Sequence, residues 1–559
     1  MDTQTRESDA CIDSVYFAQT HVLEPEHPYF RLVGGLDTLI KVHVLSPTGP
    51  SAPVVQATLT LDGESTTLEL TGPAVLPSSF CKDPGKVVHK LDDCFTATIP
   101  GRWIKKGLKV AVKAGEAERS LDKLCIGPPI RLNMTMFDVH YFDYADVDYP
   151  DGWVAEIGVK RPVTELNVQR VKRLLFSKLV IPPCDGEAVL CSSEADYEQQ
   201  TGRTFNGKQA AALIWQRALQ DAGGQTRLSL FFINIANVKA GGYAENFGGC
   251  GDLKRLGVLH HELAHALDVE DLCPTMEPLY PYKGRMHGIG KVGGGYHAGP
   301  AWGYEFQNGA HCFLCPTQPA DGDDAGELEW RPSPVAGGGG EPGALRAYSD
   351  WSVRKMQSYM ENRIVLWDAD KNAYVQFNGW IEDYLQVPGT DGVIYPVEHD
   401  VDVYSIMVAV SAVTEGVNYI YPLIGPYQSG LIDTFDPETP DDRRRARRLK
   451  NFSQGWDICL RVEQGGTTRT YMMPLAWRPD DDPLNADQFQ TRALNLPARN
   501  GRVTRAEILL TPDVDANGPP QNPRVLCSRD FNADKEKQEL IRAHYSRNAS
   551  SQSFDRFKT

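Results

Sequence analysis

The chain has 559 residues, a length that a single hydrophobic core does not support and that indicates about three or four domains. Its 73 acidic and 57 basic residues give a net charge of −16, which argues against the basic surface of a nucleic-acid-binding protein. Apolar runs stay well below the ~20 residues of a membrane span. We therefore expect a globular monomer with neither nucleic-acid nor membrane partners.

The N-terminal residues 1–125 have the pattern of a β-sandwich. The stretches "TLIKVHVLS" (38–46) and "VVQATLTLDG" (54–63) alternate apolar and polar residues, and Pro and Gly separate them. Helical periodicity is missing here. At the start, "MDTQTRESDACIDSVYF" has no basic segment followed by an apolar one, so we expect that a secretory signal is absent or has been removed.

Residues 126–388 alternate helical and strand-like patterns. The spacing in 165–181 predicts a helix that ends as a strand, and 207–224 predicts a helix with a glycine stop. The stretch "RLSLFFINIANV" (227–238) has the composition of a buried strand, and 350–368 has the pattern of an amphipathic helix. Such alternation predicts an α/β or α+β domain.

The C-terminal part returns to strand-like patterns. Runs such as "VDVYSIMVAVSAV" (401–413) and "WDICLRVEQ" (456–464) predict a second β-sandwich over 389–530. The polar residues 531–559 are expected to form a tail or a frayed helix. The sequence therefore predicts a multidomain α+β protein, with a β-rich domain on either side of the central one.

The twelve cysteines include pairs that are close in sequence, which favours disulfides and an oxidising compartment. The close pairs are Cys81 with Cys94, Cys184 with Cys191, and Cys312 with Cys315. The last pair follows a histidine in "HCFLC", where a disulfide is favoured over a second zinc site that needs two further ligands. Scattered buried thiols are the alternative for all of them.

The stretch "GVLHHELAHALDVEDLCP" (257–274) contains an H-E-x-x-H motif in His261, Glu262 and His265. Its neighbours are helix formers, and four helical residues rotate by about 400° and rise by about 6 Å. Both histidines therefore share one face, where their nitrogens can converge on Zn²⁺. Glu262 is placed to act as general base on a metal-bound water and then as acid to the leaving amine. His260, about 100° around the helix, is expected to be packed or exposed rather than a ligand.

The third zinc ligand is less strongly determined by the motif. In the extended pattern H-E-x-x-H-x-x-G-x-x-H, glycine makes a left-handed turn that returns the last ligand to the metal. Asp268 stands at the glycine position and Asp271 at the last one. Aspartate tolerates the left-handed region better than most residues, and a carboxylate can bind zinc, so the spacing favours Asp271. The rival ligands are His287, His297, Asp268 and Glu270.

Several further stretches, in a fixed order over about 14–370, resemble the StcE-type (TagA-like) secreted zinc metalloproteases, which cleave mucin-type O-glycoproteins. They are "SVYFAQTHVLEPE", "ATIPGRWIKKGLKVAV" (97–112), "LNMTMFDVHYFD" (132–143), "HHELAHALDVED" (260–271), "PAWGYEF" (300–306) and "YSDWSVRKMQSYMENR" (348–363). The resemblance implies an N-terminal immunoglobulin-like sandwich, a metzincin-like catalytic domain and a further β-rich module. It also implies secretion and zinc-dependent peptide hydrolysis, with His261 and His265 as ligands and Glu262 as base.

The chain departs from the family pattern at the two aspartates and at the methionine expected in the turn beneath the zinc. The matching segment reads Ala347-Tyr348-Ser349-Asp350-Trp351, with Tyr348 in the methionine slot. We expect Tyr348 to donate a hydrogen bond to the oxyanion, and Tyr304 and Trp351 to contact substrate; for each, an aromatic that fills the core is the alternative. The glycine-rich stretch "GGYAENFGG" (241–249) is expected to line the cleft and pair with the substrate backbone.

These features predict a zinc endopeptidase of glycoproteins. Two alternatives remain open at this point. One is a glycan- or surface-binding protein on a degenerate protease scaffold, although retention of Glu262 between the two histidines argues against it. The other is a zinc protease of non-glycosylated proteins.

Overall fold

The computed structural model of this chain is a multi-sheet, strand-rich α+β protein, which confirms the predicted fold class. It describes residues 10–49, 51–83, 86–145, 148–181, 188–206, 212–224, 227–237, 241–270, 299–307, 309–319, 325–331, 333–335, 347–387, 394–412, 414–448, 455–477, 489–533, 538–548 and 557–558. None of the helices in these ranges combines the length and the apolar character that crossing a membrane requires.

The N-terminal part consists of two four-stranded antiparallel sheets that share one core. Its strands are β1 (Cys11–Ala18), β2 (Val22–Leu23), β3 (Thr38–Leu45), β4 (Val55–Leu61), β5 (Glu64–Glu69), β6 (Phe95–Ile99), β7 (Lys109–Ala114) and β8 (Ala117–Leu121). The sheet orders are β2-β1-β3-β6 and β5-β4-β7-β8. In β4 alternate residues are buried, whereas β3 is buried along its whole length. On its second face Leu39 packs with Trp302 and Tyr304, and His43 stacks on Phe80. The narrower assignment, an immunoglobulin-like domain, stays a prediction.

The central part is built on a seven-stranded sheet of order β14-β15-β13-β9-β10-β31-β32. Its elements up to residue 265 are β9 (Arg131–Tyr141), α1 (Trp153–Val159), β10 (Glu165–Phe176), β11 (Leu179–Ile181), β12 (Val189–Cys191), α2 (Glu194–Thr201), α3 (Ala212–Ala222), β13 (Leu230–Ile235), β14 (Gly242–Glu245), β15 (Gly248–Gly251) and α4 (Leu256–His265). Strands β15, β13, β9 and β10 run parallel, and β14 is antiparallel at the edge of the described sheet.

Helices cover both faces of this sheet. The next elements are β16 (Gly303–Gln307), β17 (Ala310–Leu314), β18 (Thr317–Pro319), β19 (Leu328–Trp330), α5 (Asp350–Arg363), β20 (Val365–Asp368), β21 (Ala373–Asn378) and β22 (Asp383–Gln386). On one face α1, α4 and α5 pack against even-numbered residues of β9 and β10, such as Met134 and Leu166. On the other face α3 packs through Trp215 against odd-numbered residues such as Phe137. The motif helix therefore lies on a rigid, two-sided layer.

The C-terminal part contains two more sheets with a common core. Its elements are β23 (Glu398–Ser411), β24 (Tyr419–Ile420), β25 (Ile424–Leu431), α6 (Pro440–Arg448), β26 (Ile458–Gln464), β27 (Thr467–Met473), β28 (Phe489–Pro497), β29 (Val503–Leu510), α7 (Val514–Asn517), β30 (Arg524–Asp530), β31 (Glu539–Ser546) and β32 (Phe557–Lys558). Strand β23 joins two cores, because Ile406 and Val408 face β26 whereas Val403 and Met407 pack with the central sheet. The predicted domain boundaries stay predictions.

Two expectations about secondary structure were wrong. Residues 165–176 form strand β10 instead of a helix, because β9 and β31 supply hydrogen-bond partners along both of its edges. The segment expected to be a polar tail contributes β31, which pairs with β10 over eight positions from Glu165↔Ser546 to Lys172↔Glu539. Its polarity does not mark disorder, since one face of this strand lines an open surface of the sheet.

The ten cysteines in the described part of the chain are free thiols. Within the described residues no disulfide joins the close pairs Cys81 with Cys94 or Cys312 with Cys315, so the expectation of disulfides is not confirmed. For the second pair the reason is local: a separation of three residues along extended chain directs the side chains to opposite faces. Cys312 accordingly lies exposed on β17, while Cys315 packs partly buried beside Trp302.

Candidate metal centre

Helix α4 brings the two motif histidines together. Within it, residues 257–264 are buried and His265 is half-buried at its last turn. The Nε2 atoms of His261 and His265 lie 2.9 Å apart. A tetrahedral zinc ion with bonds of about 2.0–2.1 Å separates two ligand nitrogens by about 3.3–3.4 Å. The pair is thus within a few tenths of an ångström of the spacing that zinc imposes.

The far nitrogen of each ring is held by a backbone carbonyl. His261 Nδ1 lies 3.2 Å from the carbonyl oxygen of Pro334, and His265 Nδ1 lies 2.6 Å from that of Val269. Because a carbonyl only accepts hydrogen bonds, each Nδ1 must carry the proton and donate it. Each Nε2 then has a lone pair, and these two Nε2 atoms are the ones that lie 2.9 Å apart. Histidine ligands of zinc sites are oriented in this way.

The end of α4 makes the left-handed turn expected at Asp268. This residue has φ +68°, with hydrogen bonds from Asp268 N to His265 O and from Val269 N to Ala264 O, both 3.0 Å long. These are the two bonds of a Schellman motif, with Asp268 in the position that glycine usually occupies. The prediction that aspartate can replace glycine here is confirmed. The same turn delivers the Val269 carbonyl to His265.

Two of the rival third ligands do not complete the site. Asp268 is exposed, and Glu270 is exposed and forms an ion pair with Lys355. Within the described ranges, no third His, Cys, Asp or Glu has a ligand atom within 4.8 Å of both motif histidines. Asp271, the favoured ligand, lies outside the described residues, as do His287 and His297, so Asp271 stays a prediction.

Glu262 lies directly against the edge strand of the sheet. Its side chain is 3% exposed. A Cβ atom built on Gly242 of β14 would stand 2.2 Å from Glu262 Oε1 and 2.3 Å from its Cδ and Cγ. The carboxylate can occupy this place only because residue 242 has no side chain. Sequence reasoning placed 241–249 near the cleft but missed this contact, for which the adjacent Gly241-Gly242 pair was the available signal.

Buried polar side chains form a hydrogen-bond network with His260 of helix α4. The Tyr348 hydroxyl donates to the His260 carbonyl at 2.6 Å and accepts from Arg161 Nη2 at 2.6 Å. Arg161 Nη1 also lies 3.2 Å from His260 Nδ1, and all three side chains are at most 1% exposed. Burial, reinforced by the charge of Arg161, lowers the pKa of His260 well below its usual value. His260 is therefore a packed neutral histidine, as predicted.

The structure does not give Tyr348 and Tyr304 the roles that we predicted. Tyr348 is 1% exposed, and its hydroxyl is held by the polar network that packs against α4. Tyr304 is 4% exposed, its hydroxyl lies 2.7 Å from His311 Nδ1, and its ring packs against the N-terminal sheets. Neither hydroxyl is available to a substrate, so both residues fill the core.

Trp351 lies closer to the motif segment. It is half-buried in the first turn of α5, and Lys355 Nζ stands 5.6 Å from its ring centroid. Lys355 in turn pairs with Glu270, the fifth residue after His265. This chain of contacts connects Trp351 to the segment that leaves α4, and its substrate contact stays a prediction.

The chain is similar to a family of peptidases and to several curated proteins. Residues 87–365 match the family model described as Peptidase M66. Dictomallein of Burkholderia pseudomallei (strain K96243) is 25% identical, over 93% of this chain and 83% of its own length. Dictomallein-2 of Dictyostelium discoideum is 23% identical, over 93% of this chain and 96% of its own length. The similarity therefore extends beyond the segment matched by the family model.

Proposed function

Residues 87–365 belong to the Peptidase M66 family, and from this premise we propose that the protein is a zinc-dependent endopeptidase of glycoproteins, with mucin-type O-glycoproteins as substrates. Membership of this family supports a metallopeptidase. The proposal of a zinc-dependent endopeptidase rests chiefly on one observation: two histidines, each held by a hydrogen bond to a backbone carbonyl, come together beside a buried glutamate. Secretion belongs to the same proposal, because such substrates lie outside the producing cell.

The residues present fit a zinc ion. His261 and His265 offer two neutral imidazole nitrogens, the donors that zinc prefers, and Asp271 is proposed to supply a carboxylate oxygen. When bound there, zinc supplies Lewis-acid chemistry, which polarises the scissile carbonyl and makes a water more acidic. Glu262, adjacent to His261, takes the proton of the attacking water and returns it to the leaving amine.

The edge strand β14 is proposed to hold the substrate chain. It is antiparallel to β15 and lies at the edge of the described sheet, where an extended peptide can add as a further strand. Gly242 of this strand touches Glu262, so a peptide paired with β14 passes close to the carboxylate. Backbone pairing is independent of side chains, and recognition of the glycan would come from other surfaces of the protein.

The proposal is tested by measuring zinc content and digestion together. Wild type, Glu262→Gln and Asp271→Ala are compared, with Glu270→Ala as the matched control for removal of an acid next to the site. Metal is quantified by mass spectrometry, and each variant is incubated with a mucin-type glycoprotein and with an unglycosylated casein-like protein. A chelator-treated sample of the wild type provides the metal-free reference.

We expect wild type and Glu270→Ala to hold one zinc and to cut the glycoprotein. Glu262→Gln should hold zinc without cutting, and Asp271→Ala should lose zinc. If only the casein-like protein is cut, the substrates of the enzyme are unglycosylated proteins instead of glycoproteins. A wild type that binds no zinc, or that binds zinc and leaves both proteins intact, would refute the protease and favour a binding protein on a protease scaffold.

A further inference from the structure

In the part of the chain that the structure describes, half of one face of the central sheet has no helix or sheet packed on it, where a parallel sheet is normally covered. Strands β9 and β10 are parallel, interior strands, and such strands usually have helices or another sheet on both faces. Yet Asn133 and Asn167, which face away from α4, are exposed. The other end of the same face is covered, because Phe137 and Val171 are buried against α3 and the C-terminal sheets. The exposed half of this face is therefore a candidate binding surface for a ligand.

The floor of this opening, which we call the polar cleft, consists of three cross-strand rows. The rows are Arg131–Glu165, Asn133–Asn167–His544 and Thr135–Gln169–Arg542, on strands β9, β10 and β31. Asn167 Nδ2 donates to Asn133 Oδ1 at 3.0 Å, and the Asn167 oxygen lies 2.7 Å from His544 Nδ1. Gln169 donates to Thr135 at 2.9 Å. These bonds fix the side chains relative to one another, and all of these residues line the cleft.

An aromatic wall stands beside the floor. Trp367 on β20 is half-buried, with its ring 5.0 Å from Tyr374 and 4.6 Å from His399. Strand β25 also contributes to the lining, and its Gln428 is bonded to Gln169 of the floor. The cleft has a volume of about 610 Å³, which accommodates a ligand of two or three sugar-sized rings.

Both arginines of the polar cleft have acidic partners. Arg131 lies 3.4 Å from Glu165, and Arg542 lies 3.4 Å from Asp402. Asp400, the remaining acid in the wall, lies 3.5 Å from His399. A phosphate or sulfate site needs cations without partners, which this lining does not offer. A lipid site needs a lining that is apolar throughout, whereas here apolar atoms alternate with amides, hydroxyls and charged groups.

We propose that the polar cleft is a binding site for a neutral oligosaccharide, separate from the hydrolytic centre. Planar amides and hydroxyls match the donors and acceptors of sugar hydroxyls, and an indole ring packs on the apolar face of a pyranose. The cleft lies on the face of the sheet opposite α4, so a bound glycan does not compete with the scissile peptide. That the glycan belongs to the substrate protein is a further step, which rests on the proposed function.

The test uses the full chain and direct binding. Galactosyl-β-1,3-N-acetylgalactosamine is titrated into wild type, Trp367→Ala and Asn133→Ala by calorimetry, with inorganic phosphate and an unglycosylated Ser/Thr-rich peptide as comparison ligands. Trp380→Ala is the matched control, because Trp380 lies in the turn between β21 and β22, is 96% exposed and does not line the cleft. Asn133→Ala is included because an exposed amide can be removed without opening the core, whatever Trp367→Ala does to folding.

We expect saturable binding of the disaccharide, about tenfold weaker in both Trp367→Ala and Asn133→Ala and unchanged in Trp380→Ala. Absence of disaccharide binding, equal binding by all variants, or preferential binding of phosphate or peptide would overturn the proposal. Because the free disaccharide has no peptide bond to cut, the titration is valid with or without protease activity. If the protein does cleave glycoproteins, Trp367→Ala should raise KM for them and leave kcat and casein cleavage unchanged.

Discussion

The imidazole of His265 is tied to the backbone of Val269 by a 2.6 Å hydrogen bond from Nδ1 to the carbonyl oxygen. The two residues are four positions apart, and the left-handed Asp268 between them makes the contact possible. The turn that ends the helix thus does more than change the direction of the chain after α4. It also selects the tautomer of His265, so that the Nε2 next to His261 is unprotonated and can bind the proposed zinc ion.

Substitutions at Asp268 should therefore change zinc affinity without touching a ligand. Asp268→Gly keeps the turn and removes the conformational cost of a non-glycine residue at positive φ. We therefore expect the same zinc affinity as in the wild type and a free energy of unfolding higher by up to about 1 kcal/mol. Asp268→Val should cost about 1–2 kcal/mol and weaken zinc binding, since a β-branched residue resists positive φ. Urea unfolding and competition with a chromogenic chelator measure both effects. Wild-type zinc affinity in Asp268→Val would show that turn and ligand are not coupled.

The close contact between Gly242 and Glu262 predicts a purely catalytic defect. Gly242→Ala places a methyl group where the carboxylate now lies and should lower kcat by about ten- to a hundredfold, because small displacements of a catalytic group are costly. Zinc content should not change, since neither histidine is touched.

Gly241→Ala is the matched control for this substitution. A Cβ at Gly241 meets no described atom within 4 Å, so its activity should stay near that of the wild type. Equal activity of both variants would mean that Glu262 moves aside freely, and the positioning role of Gly242 would then be wrong.

The hydroxyl of Tyr348 gives a prediction that separates support from catalysis. Tyr348→Phe removes the donor to the His260 carbonyl and leaves the buried Arg161 with one acceptor fewer, at a cost of about 1–3 kcal/mol. Thermal unfolding should detect this loss, and kcat per folded, zinc-loaded molecule should fall only modestly. Full stability with abolished kcat would instead restore the oxyanion role that the sequence suggested for Tyr348.

Sequence reasoning succeeded where the determinant was local. The motif spacing and the tolerance of Asp268 for a left-handed turn depend on a few neighbouring residues, and both can be inferred from the letters. Gly242 and Tyr348 act through contacts with residues 20 and 88 positions away along the chain. The Gly241-Gly242 pair marks one of these positions, but no local pattern identifies the partner residues. Strand β10 was misjudged because "LNVQRVKRLLF" satisfies a helical as well as an alternating pattern, and its two partner strands decide between them.

The C-terminal strand β31 is expected to be essential for the stability of the central domain. Tyr545 is 6% exposed and packs so closely on α1 that a Cβ on Gly158 would stand 2.2 Å from its ring. Tyr545→Ala should lower the free energy of unfolding by about 3–4 kcal/mol, as for other large buried side chains. His544→Ala, on the open face of the same strand, should cost under about 1 kcal/mol. Similar losses for both variants in urea unfolding would contradict the assignment of faces in β31.

A buried histidine should make stability depend on pH. His21 is 4% exposed, and its Nε2 lies 3.0 Å from the Tyr348 carbonyl, joining the N-terminal sheets to the support of α4. Burial is the main cause that lowers the pKa of His21 from 6.5 to about 4. Between pH 4 and pH 6.5 the unfolded chain therefore binds more protons at His21 than the folded chain does. The contribution of His21, about 3 kcal/mol, is present above pH 6.5 and is lost as the pH falls toward 4.

The measurement is the free energy of unfolding at pH 7.5 and pH 5 for wild type and His21→Gln, in which the amide can still donate to the Tyr348 carbonyl. Wild type should lose more stability on acidification than His21→Gln, because glutamine does not titrate. The buried His43 and His89, whose pKa values are lowered to about 2 and 3, titrate in the same direction, so part of the loss must persist in His21→Gln. A loss of the same size in wild type and His21→Gln would mean that His21 titrates alike in the folded and unfolded chain.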